Sequence, residues 1–283
     1  MEPADAARVA NYFRGQPARG GAAVLLRKVT LVEPLPETGQ LPVRTLTFAN
    51  PNGEPLGIQR GRRDVVKILI PGHSMESYSM SDERPERGEF DLTIKVYPGG
   101  ACSGYLDSVA VGESIQAFAM ASRYNAVRNP GSHVGLVAFG VSAGGGSAAG
   151  ARERPTDTGR KVGITEAREV AKAELEQPDA ELVHLLWAAR TFSDMFWRDE
   201  LADMERAHPG RFKVTRILSR EDQEGCLKGR IDADVLATVF RDFKGKPDSR
   251  FRAVGTRAMI NQANANLDAA GFPWPASALL LRP

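Results

Sequence analysis

The periodicity of the chain changes once, near residue 125, and that change limits the possible folds more than any other feature. Up to about Met120, short alternating segments at 24–29, 43–48, 65–70 and 90–97 are parted by turn-formers such as Asn50-Pro51-Asn52-Gly53 and Pro71-Gly72. Strand side chains point alternately to two faces, and short strands at this spacing predict an antiparallel barrel. From His133 onward, strand-like 134–139, 182–187, 212–218 and 251–254 alternate with helical 166–176, 196–207, 232–243 and 258–270. That βαβα succession predicts a doubly wound parallel sheet with flanking helices. Residues 1–21 read as a disordered tail, 22–125 as the barrel domain and 126–283 as the α/β domain. The boundary is expected at 122–130, where Asn125, Asn129 and Pro130 interrupt both patterns. Residues 142–161, rich in Gly, Ala and Ser and then in charge, read as a low-complexity loop.

Composition excludes several classes. A formal net charge of +2 on 283 residues gives no reason to expect nucleic acid as a partner. Two cysteines, Cys102 and Cys226, fit a reducing compartment rather than a disulfide framework. No apolar run approaches the ~20 residues that span a bilayer, and the first residues lack the apolar core of a secretory signal. The expectation is a soluble monomer of the cytoplasm or an organellar stroma. His73, His133, His184 and His208 are scattered without metal-ligand spacing, so no metal centre is expected.

Two stretches carry chemistry in the first half. In 90–106 an alternating strand runs into Gly99-Gly100, and a short helical segment with Ser103 follows. Such a turn gathers backbone N–H groups, a hydroxyl and a helix start at one point, which suits a phosphate. Upstream, Ser77-Tyr78-Ser79 offers a ring and hydroxyls, as a flat heteroaromatic cofactor with a phosphate tail requires.

The glycine-rich segment of the second half admits two readings. Gly140-Val141-Ser142-Ala143-Gly144 matches the G-x-S-x-G nucleophile elbow of serine hydrolases. An elbow must lead into a helix and needs an acid and a histidine after the serine; only His184 and His208 follow Ser142. If residues 142–161 are instead an insertion, Gly140 joins Gly163-Ile164-Thr165. The glycines would then let a nucleotide approach the backbone, and Thr165 would start a helix, where it also suits a plain N-cap.

In this order, Tyr78-Ser79, the 95–103 loop and the joined Gly140/Gly163-Ile164-Thr165 segment resemble the ferredoxin-NADP reductase superfamily. The nearest branch is that of the NADH-dependent cytochrome b reductases and the nitrate reductase flavin module. The likeness continues through Arg190-Thr191 with Asp194 and 198–201, through Ser219-Arg220, and through Val254-Gly255 with Met259. It implies a flavoprotein oxidoreductase passing hydride from NADPH or NADH to FAD, then electrons to a haem or iron–sulfur protein or a small acceptor. Tyr78 and Ser79 would contact the flavin ring, and with Thr165 would form the catalytic set. Lys95, Val96, Tyr97, Gly100, Cys102 and Ser103 would serve the adenosine and phosphate side of FAD. Gly140, Gly163, Thr165, Arg190, Ser219, Arg220, Gly255 and Met259 would serve the pyridine nucleotide. Ser219-Arg220 favours NADPH, because arginine forks onto a phosphate, although Glu221 and Asp222 stand close by.

The chain departs from the family pattern at named places. Glu76 stands where relatives carry an arginine on the flavin pyrophosphate, Val254 where they carry a cysteine, and no terminal aromatic closes the chain. Two rivals therefore accompany the reductase reading: a non-catalytic nucleotide-binding module of the same fold, and a serine hydrolase using Ser142. A short-chain dehydrogenase is disfavoured, since no tyrosine has a lysine four residues on.

Overall fold

The computed structural model describes residues 21–31, 41–52, 65–72, 75–97, 99–120, 131–140 and 163–272, which group into two compact units, one up to residue 120 and the other from residue 131. Residues 1–20 of the expected tail 1–21, the domain boundary at 122–130, the low-complexity segment with Ser142 and the C-terminus from 273 lie outside the described residues, whereas Gly21 is the first residue of a strand.

The first unit holds β1 (Gly21–Leu31), β2 (Val43–Ala49), β3 (Val65–Leu69), β4 (Met75–Ser79), β5 (Asp82–Arg84), β6 (Glu89–Lys95), α1 (Ala101–Ser108) and β7 (Ser114–Met120). Its seven strands pair antiparallel in the order β4-β3-β7-β1-β2-β6-β5. The two edge strands, β4 and β5, are separated in the chain by Met80 and Ser81 alone. A flat seven-stranded sheet would set its edges ~29 Å apart, whereas so short a link reaches ~11 Å. The sheet is therefore rolled until its edges meet at that corner, which accords with the expected antiparallel barrel. Ser81 N–H donates to Asp91 O on β6 at 2.8 Å, and a hydroxyl chain links Ser81, Thr93 and Thr45 at 2.9 Å per step.

The interior of the roll is filled by Leu26, Leu46, Phe48, Val66, Ile68, Phe90, Leu92, Ile94 and Ile115, with Cys102 and Leu106 added by α1. Complete burial of one Leu or Phe stabilises by ~1.5–3 kcal/mol, so this strand-by-strand alternation sets the register. α1 is thus fixed by its buried face, and Arg44 on β2 ties Asp107 at 2.7 Å.

The second unit runs β8 (His133–Phe139), α2 (Gly163–Leu175), β9 (Leu182–Ala189), α3 (Arg198–Ala207), β10 (Phe212–Leu218), β11 (Leu227–Lys228), α4 (Ala233–Val239), β12 (Arg250–Val254) and α5 (Arg257–Ala269). Its sheet is parallel, in the order β11-β10-β9-β8-β12. β8 and β9 are buried along nearly their whole length, as expected of strands covered on both faces. Leu236 and Val239 of α4 and Ile260, Ala263 and Leu267 of α5 pack with Val137, Leu186 and Ile217, while α2 packs on β8, β9 and β12. From β8 the chain steps outward through β9 to β11, then returns to place β12 on the other side of β8. That reversal makes the carboxyl ends of β8 and β12 the topological switch point, where open α/β sheets take ligands.

Charge also holds this unit together. Glu166 and Glu174 of α2 pair with Arg252 and Arg250 of β12, the latter at 3.4 Å with Glu174 fully buried. Arg168 of α2, 5% exposed, donates to Glu169 and Glu200 at 2.8 Å and lies 3.8 Å from the Trp197 ring centroid. Trp197 starts α3 with φ 62°, a left-handed conformation that costs an ordinary residue free energy. The cation stacked on its ring offsets part of that cost.

Candidate functional site

In the first unit, the end of β6 delivers the half-buried residues Lys95, Val96 and Tyr97 to the start of α1. Tyr97 N–H donates to Ser103 Oγ at 3.1 Å, and Gly100 N–H donates to Tyr97 O at 3.0 Å. A Cβ at position 100 would stand 2.6 Å from Ser103 Oγ and 3.1 Å from Tyr97 O, so a side chain there would displace the serine hydroxyl that holds Tyr97 N–H. α1 begins at Gly100 with no side-chain cap and no acidic residue in its first turn among the described residues. A helix start left this way presents donors and positive field to an anion. Tyr78, on edge strand β4, is joined to the same place: its hydroxyl donates to Cys102 Sγ at 2.9 Å. The structure thus brings together Tyr78, Tyr97, Gly100, Cys102 and Ser103, with Ser79 adjoining at the end of β4. The side chains of Cys102 and Ser103 are buried, so at this point these residues can serve an anion through their backbone N–H groups.

In the second unit, three glycines meet at the switch point. Gly140 follows β8 and donates to Ala188 O at 2.6 Å; Gly163 opens α2; Gly255 follows β12. A Cβ on Gly163 would lie 2.5 Å from Phe139 O and 2.6 Å from Val254 O, and one on Gly255 would lie 3.1 Å from Phe139 Cβ. These glycines let the helix start sit against both strand ends, leaving a smooth backbone rim. Thr165 does not cap α2 as the sequence suggested; the helix starts at Gly163 and Thr165 is buried in its first turn. Met259 lies in the first turn of α5, half-buried, with its N–H donating to the capping Thr256 Oγ1 at 3.4 Å.

One strand further out, Arg190 follows β9, and Ser219 and Arg220 follow β10, both exposed. Arg220 N–H donates to Arg190 O at 2.9 Å, so the two strand ends remain paired. Asp222 pairs with Lys228 at 3.1 Å, and Glu221 accepts from Phe192 N–H.

A family model described as an oxidoreductase FAD-binding domain matches residues 40–119, and one described as an oxidoreductase NAD-binding domain matches residues 161–265. The chain belongs to the oxidoreductases that join these FAD-binding and NAD-binding domains. It is 30% identical over 179 residues to NADH-cytochrome b5 reductase 1 of Dictyostelium discoideum, covering 62% of this chain and 55% of that protein. With NADH-cytochrome b5 reductase 1 of Candida glabrata it shares 28% over 224 residues, 77% of this chain and 70% of that protein. The chain therefore spans about half the length of the first relative. The cytochrome b5 reductase domain of Ulva prolifera nitrate reductase has the same fold, with a TM-score of 0.69 at 21% identity over 92% of this chain and 97% of that one.

Among the described residues after Ser142, no histidine stands at the carboxyl end of the sheet, where a hydrolase using that serine would need one. Gly140, two residues before Ser142, stands at the carboxyl end of the sheet. His184 sits near the amino end of β9, opposite Gly135, and His208 ends α3. Among the described residues no cluster of His, Cys, Asp and Glu suits a metal, and no helix is long and apolar enough to cross a membrane.

The residues present fit the two cofactor classes with one exception. The helix start of α1 suits a phosphate and the three-glycine rim suits a dinucleotide. Glu76, half-buried on β4 two residues before Tyr78, puts a carboxylate on the face of the strand that Tyr78 shares. Sequence reasoning missed Arg168 and Trp197, because nothing local signals a stacked arginine thirty residues from its aromatic partner.

Proposed function

We propose that this chain is an NAD(P)H-dependent flavin reductase that delivers electrons to a haem or iron–sulfur protein or to a small acceptor. Bound FAD would take hydride from the nicotinamide and release electrons to the acceptor. The observation that carries the reading is the presence in one chain of two distinct nucleotide cradles: the bare α1 start beside Tyr78, and the glycine rim at the β8/β12 switch point. Backbone N–H groups of 101–103 hold the flavin pyrophosphate, while Lys95, Val96 and Tyr97 line its adenosine side. Tyr78 and Ser79 orient the ring system. Gly140, Gly163 and Gly255 admit the nicotinamide end of the second nucleotide, with Thr165 and Met259 bordering it. Arg190, Ser219 and Arg220 hold the adenosine end, and the exposed Ser219-Arg220 pair selects NADPH over NADH. The protein acts as a monomer in a reducing compartment, with residues 22–125 and 126–283 as its FAD and NAD(P) domains.

A second reading has one observation in its favour. A carboxylate, Glu76, lies on the strand face that carries Tyr78, and its repulsion of a flavin pyrophosphate would suit a nucleotide-binding module without turnover. The visible spectrum of purified protein given excess FAD decides. Flavin bands that bleach anaerobically with NADPH support the reductase; bands that persist support the silent module; a protein that acquires no flavin refutes the reductase.

A further inference from the structure

The pairing of β9 with β10 does not stop where the strands end. Ser219 N–H donates to Ala189 O at 3.1 Å and Arg220 N–H to Arg190 O at 2.9 Å, so two backbone rungs continue into the loops. The next donor, Phe192 N–H, is taken by the carboxylate of Glu221. A side chain thus supplies the last rung in place of a carbonyl. Phe192 is gripped from its other side as well: Arg198 Nη1 donates to Phe192 O at 2.9 Å, and its guanidinium lies 4.2 Å from the ring centroid. Thr191 Oγ1 donates to Asp194 at 3.1 Å, which closes the turn between them.

Glu221 and the guanidinium groups of Arg198 and Arg216 all lie near the Cys226 thiol. Asp222 is paired with Lys228. Glu221 is engaged by the Phe192 N–H and Asp222 by Lys228, so each acid next to Arg220 in the sequence has a partner of its own. Ser219 and Arg220, by contrast, stand exposed at the tip.

We propose that Glu221 is a positioning residue that locks the 190–192 tip to the 219–221 tip and so presents Ser219 and Arg220 to the 2′-phosphate of a pyridine dinucleotide. The proposal rests on the nucleotide assignment of this sheet end made under the proposed function. Its content is separate: the bond to Phe192, rather than the sign of the charge at 221, governs affinity for the phosphorylated adenosine. A glutamine keeps an acceptor oxygen for Phe192 N–H and removes the charge. An alanine removes both.

The test uses the full chain as wild type, E221Q and E221A, with adenosine 2′,5′-bisphosphate as the calorimetric probe and amide hydrogen exchange at Phe192 as a ligand-independent readout. In E221A binding weakens about tenfold and Phe192 exchange accelerates about tenfold, the worth of one hydrogen bond. E221Q keeps both within about twofold. Tighter binding in both variants would mean that Glu221 repels the phosphate, and overturns the proposal. Equal weakening in both, or unchanged exchange in E221A, overturns it too. If the wild type binds neither the bisphosphate nor NAD⁺, the nucleotide assignment fails and the ligand half of the proposal falls with it; the exchange rates still judge the lock.

Discussion

The hydroxyl of Tyr78 donates to the sulfur of Cys102 across 2.9 Å, tying an edge strand of the rolled sheet to the first turn of α1. Cys102 is 4% exposed and packs in the core, so its sulfur has little access to water as a substitute partner. Tyr78→Phe keeps the ring and removes the donor. We expect a loss of about 1 kcal/mol of unfolding free energy, read from the urea midpoint at constant m-value. An unchanged midpoint would show that the bond contributes nothing to holding β4 against α1.

Glu76 lies two residues before Tyr78 and shares its face of β4. Replacing its carboxylate by a guanidinium removes a repulsion and adds a charge-assisted bond to the flavin phosphates. Glu76→Arg is therefore expected to tighten FAD binding to the apoprotein by ~10–100-fold, corresponding to ~1.5–3 kcal/mol. Quenching of flavin fluorescence on titration gives the constant directly. Weaker binding in the variant would place the phosphates away from this strand.

Much of this architecture could be read from the chain, and the remainder fails for physical reasons. β6, the Gly99-Gly100 turn and α1 announce themselves because alternation, a positive-φ glycine and a short amphipathic run are all local signals. β4 does not: every residue of Met75–Ser79 is half-buried, so its sequence carries no period. The predicted helix 232–243 is instead α4 to Val239 followed by a 3-10 turn at Arg241–Phe243, because Phe240 and Phe243 both turn into the core. Gly163 and Gly255 were legible as glycines. Their reason, the approach of Phe139 and Val254, depends on contacts between distant segments. The left-handed Trp197 is likewise invisible in sequence, since its stacking with Arg168 joins residues far apart in the chain.

The crowding at Gly163 separates it from glycines that merely occupy a helix. A methyl at 163 would meet two backbone oxygens, at 2.5 and 2.6 Å, that cannot swing aside as side chains do. Gly163→Ala must push α2 away from the ends of β8 and β12, at ~1–3 kcal/mol by the scale of overpacked cores. Gly104, inside α1 with nothing within 4 Å of its added Cβ, provides the contrast. Gly104→Ala is expected to stabilise by ~0.5–1 kcal/mol through helix propensity. Thermal melts of the two variants should move in opposite directions. A Gly163→Ala protein with wild-type stability would mean that the switch point has room to spare.

His184 makes stability depend on pH in a definite direction. Its Nε2 lies 2.9 Å from Thr215 Oγ1, its ring meets Phe240 edge-on, and burial with the nearby Lys213 charge pulls its pKa down to about 4. The folded protein thus keeps this imidazole neutral where the unfolded chain, near 6.5, begins to take up a proton. The contribution is fully present above pH ~6.5 and is lost as pH falls from there through the folded value near 4, since protons then favour the unfolded state. The span amounts to about 3 kcal/mol. His133, lowered by burial and by Lys246, adds in the same direction. Urea midpoints between pH 7.5 and 4 should fall accordingly, and His184→Gln, which cannot titrate, should flatten most of the slope. A variant whose midpoint falls as steeply as the wild type would assign the acid sensitivity to other groups.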